Sequence, residues 1–222
     1  MTGQRFAERK RRLLKISSRL KRLFPDAKIA LRFKNDWELL VAVELSAQCT
    51  DVMVNKVTTK LFKKYRTLDD YVQANPREFE QDIKSTGFYR NKAKNILAAA
   101  RMLKKDFHGK VPKTMPEMLK IPGVARKTGN VVLGSAHGVV EGIAVDTHVR
   151  RFAIRFDLSD YKDPVRIERD LMALLPKKEL FPFTYRLINY GRQICPARKH
   201  DCRKHPLTKL YPPAADRWPK AH

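Results

Sequence analysis

The chain has 222 residues, long enough for one sizeable core or two small interleaved lobes, and its 47 lysines and arginines outnumber 23 acidic residues for a formal charge of +24. Such a basic excess points to a polyanionic partner, nucleic acid first among them. Three cysteines, Cys49, Cys195 and Cys202, make no even disulfide framework. No apolar run reaches the length of a membrane span and the N-terminus has no signal-peptide core. A disulfide-stapled secreted scaffold and a membrane-spanning protein are therefore excluded as expectations, leaving a cytoplasmic, nucleoid-associated protein with no membrane partner.

In chain order, Met1–Leu23 is basic, with Leu13, Ile16, Leu20 and Leu23 spaced along one helical face. It reads as a solvated helix packed on the main body rather than a targeting peptide, and Pro25 ends it. Helical patterns follow at Trp37–Ala47 and at Asp51–Tyr65, the second capped by Thr50 or Asp51. Asn75-Pro76 is a cap followed by proline at the first helical position, opening a short helix that runs towards Gly87. Ala93, Ile96, Leu97, Ala100 and Leu103 form a stripe over Arg90–Phe107, which Gly109 stops. Thr114-Met115-Pro116-Glu117 has the spacing of a capping box. Further helices are expected at about Thr147–Phe156, Pro164–Leu175 and Phe181–Ile194. Strand signals are poor: Val139–Val145 is short and broken by Glu141 and Gly142. The expected fold class is all-α.

The stretch Leu119–Arg151 carries the chemistry. Ile121-Pro122-Gly123-Val124-Ala125 turns the chain into a new helix near Arg126-Lys127. A turn feeding a helix start directs several backbone N–H groups the same way, at the positive end of the helix, and so binds phosphate. Lys127 follows the turn directly. Nineteen residues later, in Val145-Asp146-Thr147-His148, Asp146 is placed to cap the next helix. The stretch thus offers a backbone anchor for nucleic acid, an amine nucleophile and a carboxylate partner.

This pattern resembles the helix–hairpin–helix DNA glycosylases, and within them the endonuclease III family. The matching residues are Leu45-Ser46-Ala47-Gln48, Gly87-Phe88-Tyr89, the Ile121–Val132 hairpin and Ala144-Val145-Asp146-Thr147-His148, within a likeness running from about Trp37 to Cys202. The resemblance implies two helical lobes with a DNA-binding cleft: residues 1–34 with 138–222 as one lobe, and 35–137 as the other, ending in the hairpin. It implies a bifunctional DNA glycosylase and apurinic/apyrimidinic lyase of base excision repair, removing oxidised pyrimidines from double-stranded DNA as a monomer. Lys127 falls on the family's Schiff-base lysine and Asp146 on its aspartate. A neutral amine is needed for attack on C1′, and the helix N-terminus, Arg126 and partial burial are expected to favour it. Gly123, Val124, Ala125 and Arg126 would hold the phosphate. Gln48 would enter the stack vacated by a flipped base, and Phe88 takes the place of an aliphatic wedge. Core burial is the competing reading of Phe88. His148 matches a motif position, with packing or a phosphate hydrogen bond as its job; Asp51 is a cap.

Three departures stand out. Ala125 replaces the motif's second glycine, which matters only if that position needs a left-handed backbone. Gly129 replaces an alanine inside a helix, at a cost of up to about 1 kcal/mol. Most relatives hold a 4Fe-4S cluster on four cysteines spaced six, two and five residues apart. Here only Cys195 and Cys202 match, the next two positions being His205 and Tyr211. Such a cluster wants four thiolates, so no cluster and no metal is expected. Two cysteines with His200 or His205 could hold zinc. The preferred reading is instead a basic loop, Arg198, Lys199, Arg203 and Lys204, stapled by packing of Leu207, Leu210 and Tyr211. Two other functions remain open: a glycosylase of this fold for oxidised guanine or an alkylated purine, and a non-catalytic DNA-binding protein.

Overall fold

A computed structural model of the chain describes residues 3–218. It is helical, with no strand among the described residues. The chain divides into two compact units, one of Ala30–Glu141 and one of Met1–Ile29 with Gly142–His222. Among the described residues, no helix is long and apolar enough to cross a membrane.

The Ala30–Glu141 unit is built from seven helices: α2 Asp36–Leu45, α3 Asp51–Lys64, α4 Leu68–Gln73, α5 Pro76–Ile83, α6 Tyr89–Asp106, α7 Met115–Met118 and α8 Arg126–His137. Short polar side chains set most of their starts. Asn35 accepts from the Glu38 amide, Thr50 from Met53, and Asn75 from Arg77 and Glu78. Helix α2 is the unit's centre, buried without a break from Glu38 to Leu45. Helix α8 packs against it, and α6 packs against α4 and α5. Trp37, Tyr65, Tyr71 and Phe79 form an aromatic cluster, neighbouring centroids lying 5.1 to 5.8 Å apart.

Two local expectations are corrected here. Helix α4 lies outside the expected elements; Thr67 and Asp70 close a reciprocal capping box around its start, a signal weakened in sequence by the use of aspartate where glutamate is usual. At α7 the expected box does not form. Thr114 Oγ1 donates to Glu117 Oε2 at 2.7 Å, so the two side chains satisfy each other rather than the backbone.

The other unit contains α1 Gly3–Leu23, α9 Thr147–Arg155, α10 Pro164–Leu174 and α11 Lys177–Gln193. Leu13, Ile16 and Leu20 of α1 are fully buried, as the stripe requires, and the helix packs on α10 and α11. Arg9 is also fully buried. It donates to Asp157 at 2.7 Å and to Asp160 at 2.7 and 3.0 Å, and Arg12 donates to the Phe156 and Asp157 carbonyls. Cations thus meet the carbonyl end of α9, and the Arg9 hydrogen bond holds the Asp160 carboxyl below its ordinary range. Helix α11 begins one turn earlier than expected, because it runs through Pro182 in its second turn. A proline there forfeits one intrahelical hydrogen bond, which the burial of Leu180 and of the run from Phe183 to Leu187 offsets.

Candidate functional site

The hairpin joins α7 to α8 through Leu119–Ala125. The Ile121 carbonyl accepts from the Val124 amide at 3.1 Å, and Gly123 turns the chain with φ +83°. A side chain at Gly123 would be strained by that angle. It would also meet the Glu44 carboxyl, the Oε2 atom lying 2.7 Å from where its Cβ would stand. Ala125 is the N-cap of α8 with φ −93° and ψ 170°, so the alanine sits in ordinary extended backbone and costs no strain. No side chain caps α8 at this end, where the first amides have no intrahelical acceptor. Gly129 has its own reason. A Cβ there would lie 2.7 Å from Met115 Sδ, so the missing side chain lets α7 close on α8.

Lys127 is the second residue of α8 and is exposed; the partial burial expected for it does not occur in the chain. Gly123 and Ala125 are exposed beside it, Arg126 is half-buried and Val124 is buried. Val124 therefore contributes backbone, while its side chain anchors the turn in the core.

Gln48 and Phe88 lie in the same unit and share an unusual backbone. Both have left-handed φ, 53° and 48°, which costs a non-glycine residue about 1 kcal/mol or more. Phe88 is 66% exposed, so core burial is not its role. One side chain, not foreseen from the sequence, ties both loops. Lys92 Nζ donates to the Leu45 carbonyl and to the Thr86 carbonyl, each at 2.8 Å. Leu45 ends α2 three residues before Gln48, and Thr86 ends the turn after α5 two residues before Phe88. Lys92 is buried, and that burial lowers its pKa, yet two carbonyls at helix ends suit its charge.

Glu44 also lies outside the expected site, although a glutamate inside Leu39-Leu40-Val41-Ala42-Val43-Glu44-Leu45 is a visible signal. It is buried, its Oε1 has no hydrogen-bond partner among the described residues, and burial raises its pKa to about 8. The hairpin glycine therefore rests on a carboxyl that is mostly neutral at pH 7.

In the Gly142–His222 part, Asp146 caps α9 as expected, its Oδ1 accepting from the Val149 amide at 2.8 Å. His148 packs where α9 meets α11, because Gly191 leaves room for its ring. A methyl at Gly191 would collide with the imidazole, and would come within 2.9 Å of Arg151 Nη2. The structure thus places Gln48, Phe88 and the Gly123–Lys127 hairpin in one unit, and Asp146 and His148 in the other.

The C-terminal loop is organised by a residue that the sequence does not single out. The Arg155 side chain is fully buried. Its Nη1 donates to Cys195 Sγ at 3.0 Å and its Nη2 to Cys202 Sγ at 2.9 Å; Nη2 and Nε also donate to the Ala214 carbonyl. The guanidinium lies 3.9 Å over the Trp218 ring. Leu207 is buried, and Tyr211 lies under Arg12 at 3.9 Å. Arg198, Lys199, Arg203 and Lys204 are exposed. The chain's three cysteines fall short of four thiolates, and one guanidinium bridges the two sulfurs of this loop, so the donor set does not fit a 4Fe-4S cluster.

Comparison with known proteins agrees with this geometry. Residues 41–177 match the family model for the HhH-GPD superfamily base excision DNA repair proteins. The chain is 46% identical over 211 residues to an endonuclease III of Synechocystis, spanning 95% of this chain and 96% of that one. It is 47% identical to an endonuclease III of Bacillus subtilis over 85% of this chain and 86% of the other. A solved structure of a non-covalent endonuclease III–DNA complex superposes with a TM-score of 0.88 at 44% identity, covering 93% of this chain and 97% of that one. A trapped endonuclease III–DNA covalent intermediate matches with a TM-score of 0.87 at the same identity and coverage. The chain belongs to the HhH-GPD superfamily of base excision DNA repair proteins, as a DNA glycosylase and AP lyase of the endonuclease III type.

Proposed function

We propose that the chain excises oxidised pyrimidines from double-stranded DNA and nicks the strand, with Lys127 as nucleophile and Asp146 as its carboxylate partner. The observation that carries this reading is Lys127 itself, exposed in the first turn of α8, directly after a hairpin whose Gly123 has φ +83°. Phosphate held by the hairpin amides would bring the sugar to the amine. Attack by neutral Nζ forms an N–C1′ bond as the C1′–base bond breaks, and the electron pair leaves with the base, which takes up a proton. Opening of the sugar ring gives the imine. Loss of a C2′ proton then expels the 3′ phosphate by β-elimination. The Asp146 carboxylate stabilises positive charge building on the sugar and accepts a proton from Lys127.

Around that step, Gln48 fills the vacated stack and faces the orphan base, while Phe88 wedges beside it. Gly123, Val124, Ala125 and Arg126 position the backbone, and His148 supports the start of α9. The lobes read from the sequence, 1–34 with 138–222 and 35–137, are kept as the working division, a few residues from the compact units at Ile29/Ala30 and Glu141/Gly142. The protein works as a monomer in the nucleoid, without a 4Fe-4S cluster; Arg155 staples the loop that a cluster would hold.

Borohydride trapping tests this reading on two duplexes, one carrying thymine glycol and one an abasic site. Adducts on both, absent in Lys127→Gln while DNA binding persists, are expected. An adduct on the abasic duplex alone would leave the lyase and move the base preference to another lesion. Tight binding without an adduct on either would remove Lys127 from the chemistry and favour a DNA-binding role.

A further inference from the structure

We propose that Cys195, His200 and His205 bind one zinc ion in the C-terminal loop. Spacing alone argues for no metal, since only two cysteines match a four-cysteine pattern. The folded loop offers a different donor set. The ligand atoms of Cys195, His200 and His205 all lie within 4.8 Å of one another. Zinc bonds of about 2.0 to 2.3 Å place tetrahedral donors about 3.5 Å apart, so a shift of about 1 Å or less brings all three onto one ion.

The nitrogens are prepared for it. His200 Nδ1 lies 2.7 Å from the Arg198 carbonyl oxygen. That oxygen only accepts, so Nδ1 carries the ring proton and Nε2 presents its lone pair. Nε2 is buried and has no hydrogen-bond partner among the described residues. A ring N–H held by a backbone carbonyl is the arrangement that orients metal-binding histidines. His205 Nδ1 is buried without a partner in the same way, and the two rings lie 5.1 Å apart with a tilt of 35°. Two adjacent buried nitrogens beside a buried thiol are expensive to leave unsatisfied.

Zinc suits one sulfur and two imidazoles. On binding, the Cys195 S–H bond breaks, its proton passes to solvent, and the thiolate takes the metal. Arg155 Nη1, 3.0 Å from that sulfur, hydrogen-bonds the thiolate from the side. Cys202 stays with Arg155 Nη2, and water completes the fourth position. The ion closes a loop of eleven residues from Cys195 to His205, next to the guanidinium staple and independently of Lys127 chemistry.

The test uses the full chain, stripped with chelator and dialysed against zinc alone, then against cobalt alone. One metal per chain is expected, with cobalt giving tetrahedral bands in the visible and thiolate charge transfer in the near ultraviolet. His205→Ala and His200→Ala, both at half-buried positions, should each weaken zinc binding more than tenfold, and Cys195→Ser should abolish the charge-transfer band. Cys49→Ser should change nothing. Substoichiometric zinc in the unmodified chain, octahedral cobalt without charge transfer, or wild-type affinity in both histidine variants would overturn the site. So would four irons per chain with absorbance near 400 nm, which would assign the loop to a cluster. The unmodified chain gives the metal count and the cobalt spectrum even if Cys195→Ser does not fold.

Discussion

Asp146 caps α9, and substitution separates that cap from the carboxylate role proposed for it. Asparagine is as good an N-cap as aspartate, whereas alanine costs about 1 kcal/mol at such a position. Asp146→Asn is therefore expected to keep the thermal midpoint of the protein while slowing base release at least tenfold in single-turnover assays. Equal loss of stability and rate would reduce the residue to a cap. Glu44 offers a test of pH linkage. Its folded pKa, raised by burial to about 8, lies above the ordinary 4.5. The folded state therefore holds a proton that the unfolded chain releases between those values. Its contribution is fully present below about pH 4.5 and is lost as pH rises through 8. Glu44→Gln removes this term, so the stability difference between variant and parent should grow by a few kcal/mol from pH 5 to pH 8.5. Denaturant melts at the two pH values check it, and parallel shifts would contradict the assignment. The sequence exposes Glu44 as a charge in an apolar run, but not what it faces, because Gly123 is 79 positions away.

Helix ends decide how the loops carrying Gln48 and Phe88 are held. Lys92 sits on α6 and reaches back to the last carbonyls before two loops, each ending in a residue with left-handed backbone. Lys92→Met keeps most of the buried volume and leaves both carbonyls without their donor. We expect a stability loss of about 1 to 3 kcal/mol. Excision from a base-paired lesion should fall by tenfold or more, with much less effect on strand nicking at a preformed abasic site, which needs less base extrusion. Equal effects on both substrates would show a structural role only. Elements themselves are largely legible. Asn75-Pro76, Thr50 and Asp146 announce their helices because a cap is a contact with the next three residues. Helix α4 escapes because it has six residues and little stripe to read. Lys92, Arg155 and Gly191 escape for another reason: each has a partner more than 40 positions away, Leu45 for Lys92, Ala214 for Arg155 and His148 for Gly191, and no local pattern encodes such a pairing. Gly129 is legible only as an oddity until Met115 is seen beneath it.

For the molecule as a whole, a charge of +24 makes binding a counterion exchange. With six to ten phosphates contacted, affinity for any duplex should drop about a thousandfold or more between 50 and 200 mM salt. The ratio between damaged and undamaged duplex should change far less, since lesion recognition rests on the flipped base. A flat salt profile would exclude a phosphate-dominated interface. The division of the chain has a consequence for its synthesis. Ala30–Glu141 is continuous, so it can form as soon as it leaves the ribosome. The unit holding α1 cannot, because Arg9 must wait for Asp157 and Asp160, about 150 residues later in translation. At 5 to 20 residues per second that delay is roughly 7 to 30 s. Throughout it the leucine face of α1 has no native partner. The many charges flanking that face, Arg5, Arg9, Lys10, Arg11, Arg12 and Lys15 among them, keep the nascent helix in solution until its other half arrives. Pulsed hydrogen exchange during synthesis should therefore find amides of α2 and α6 protected well before those of α1.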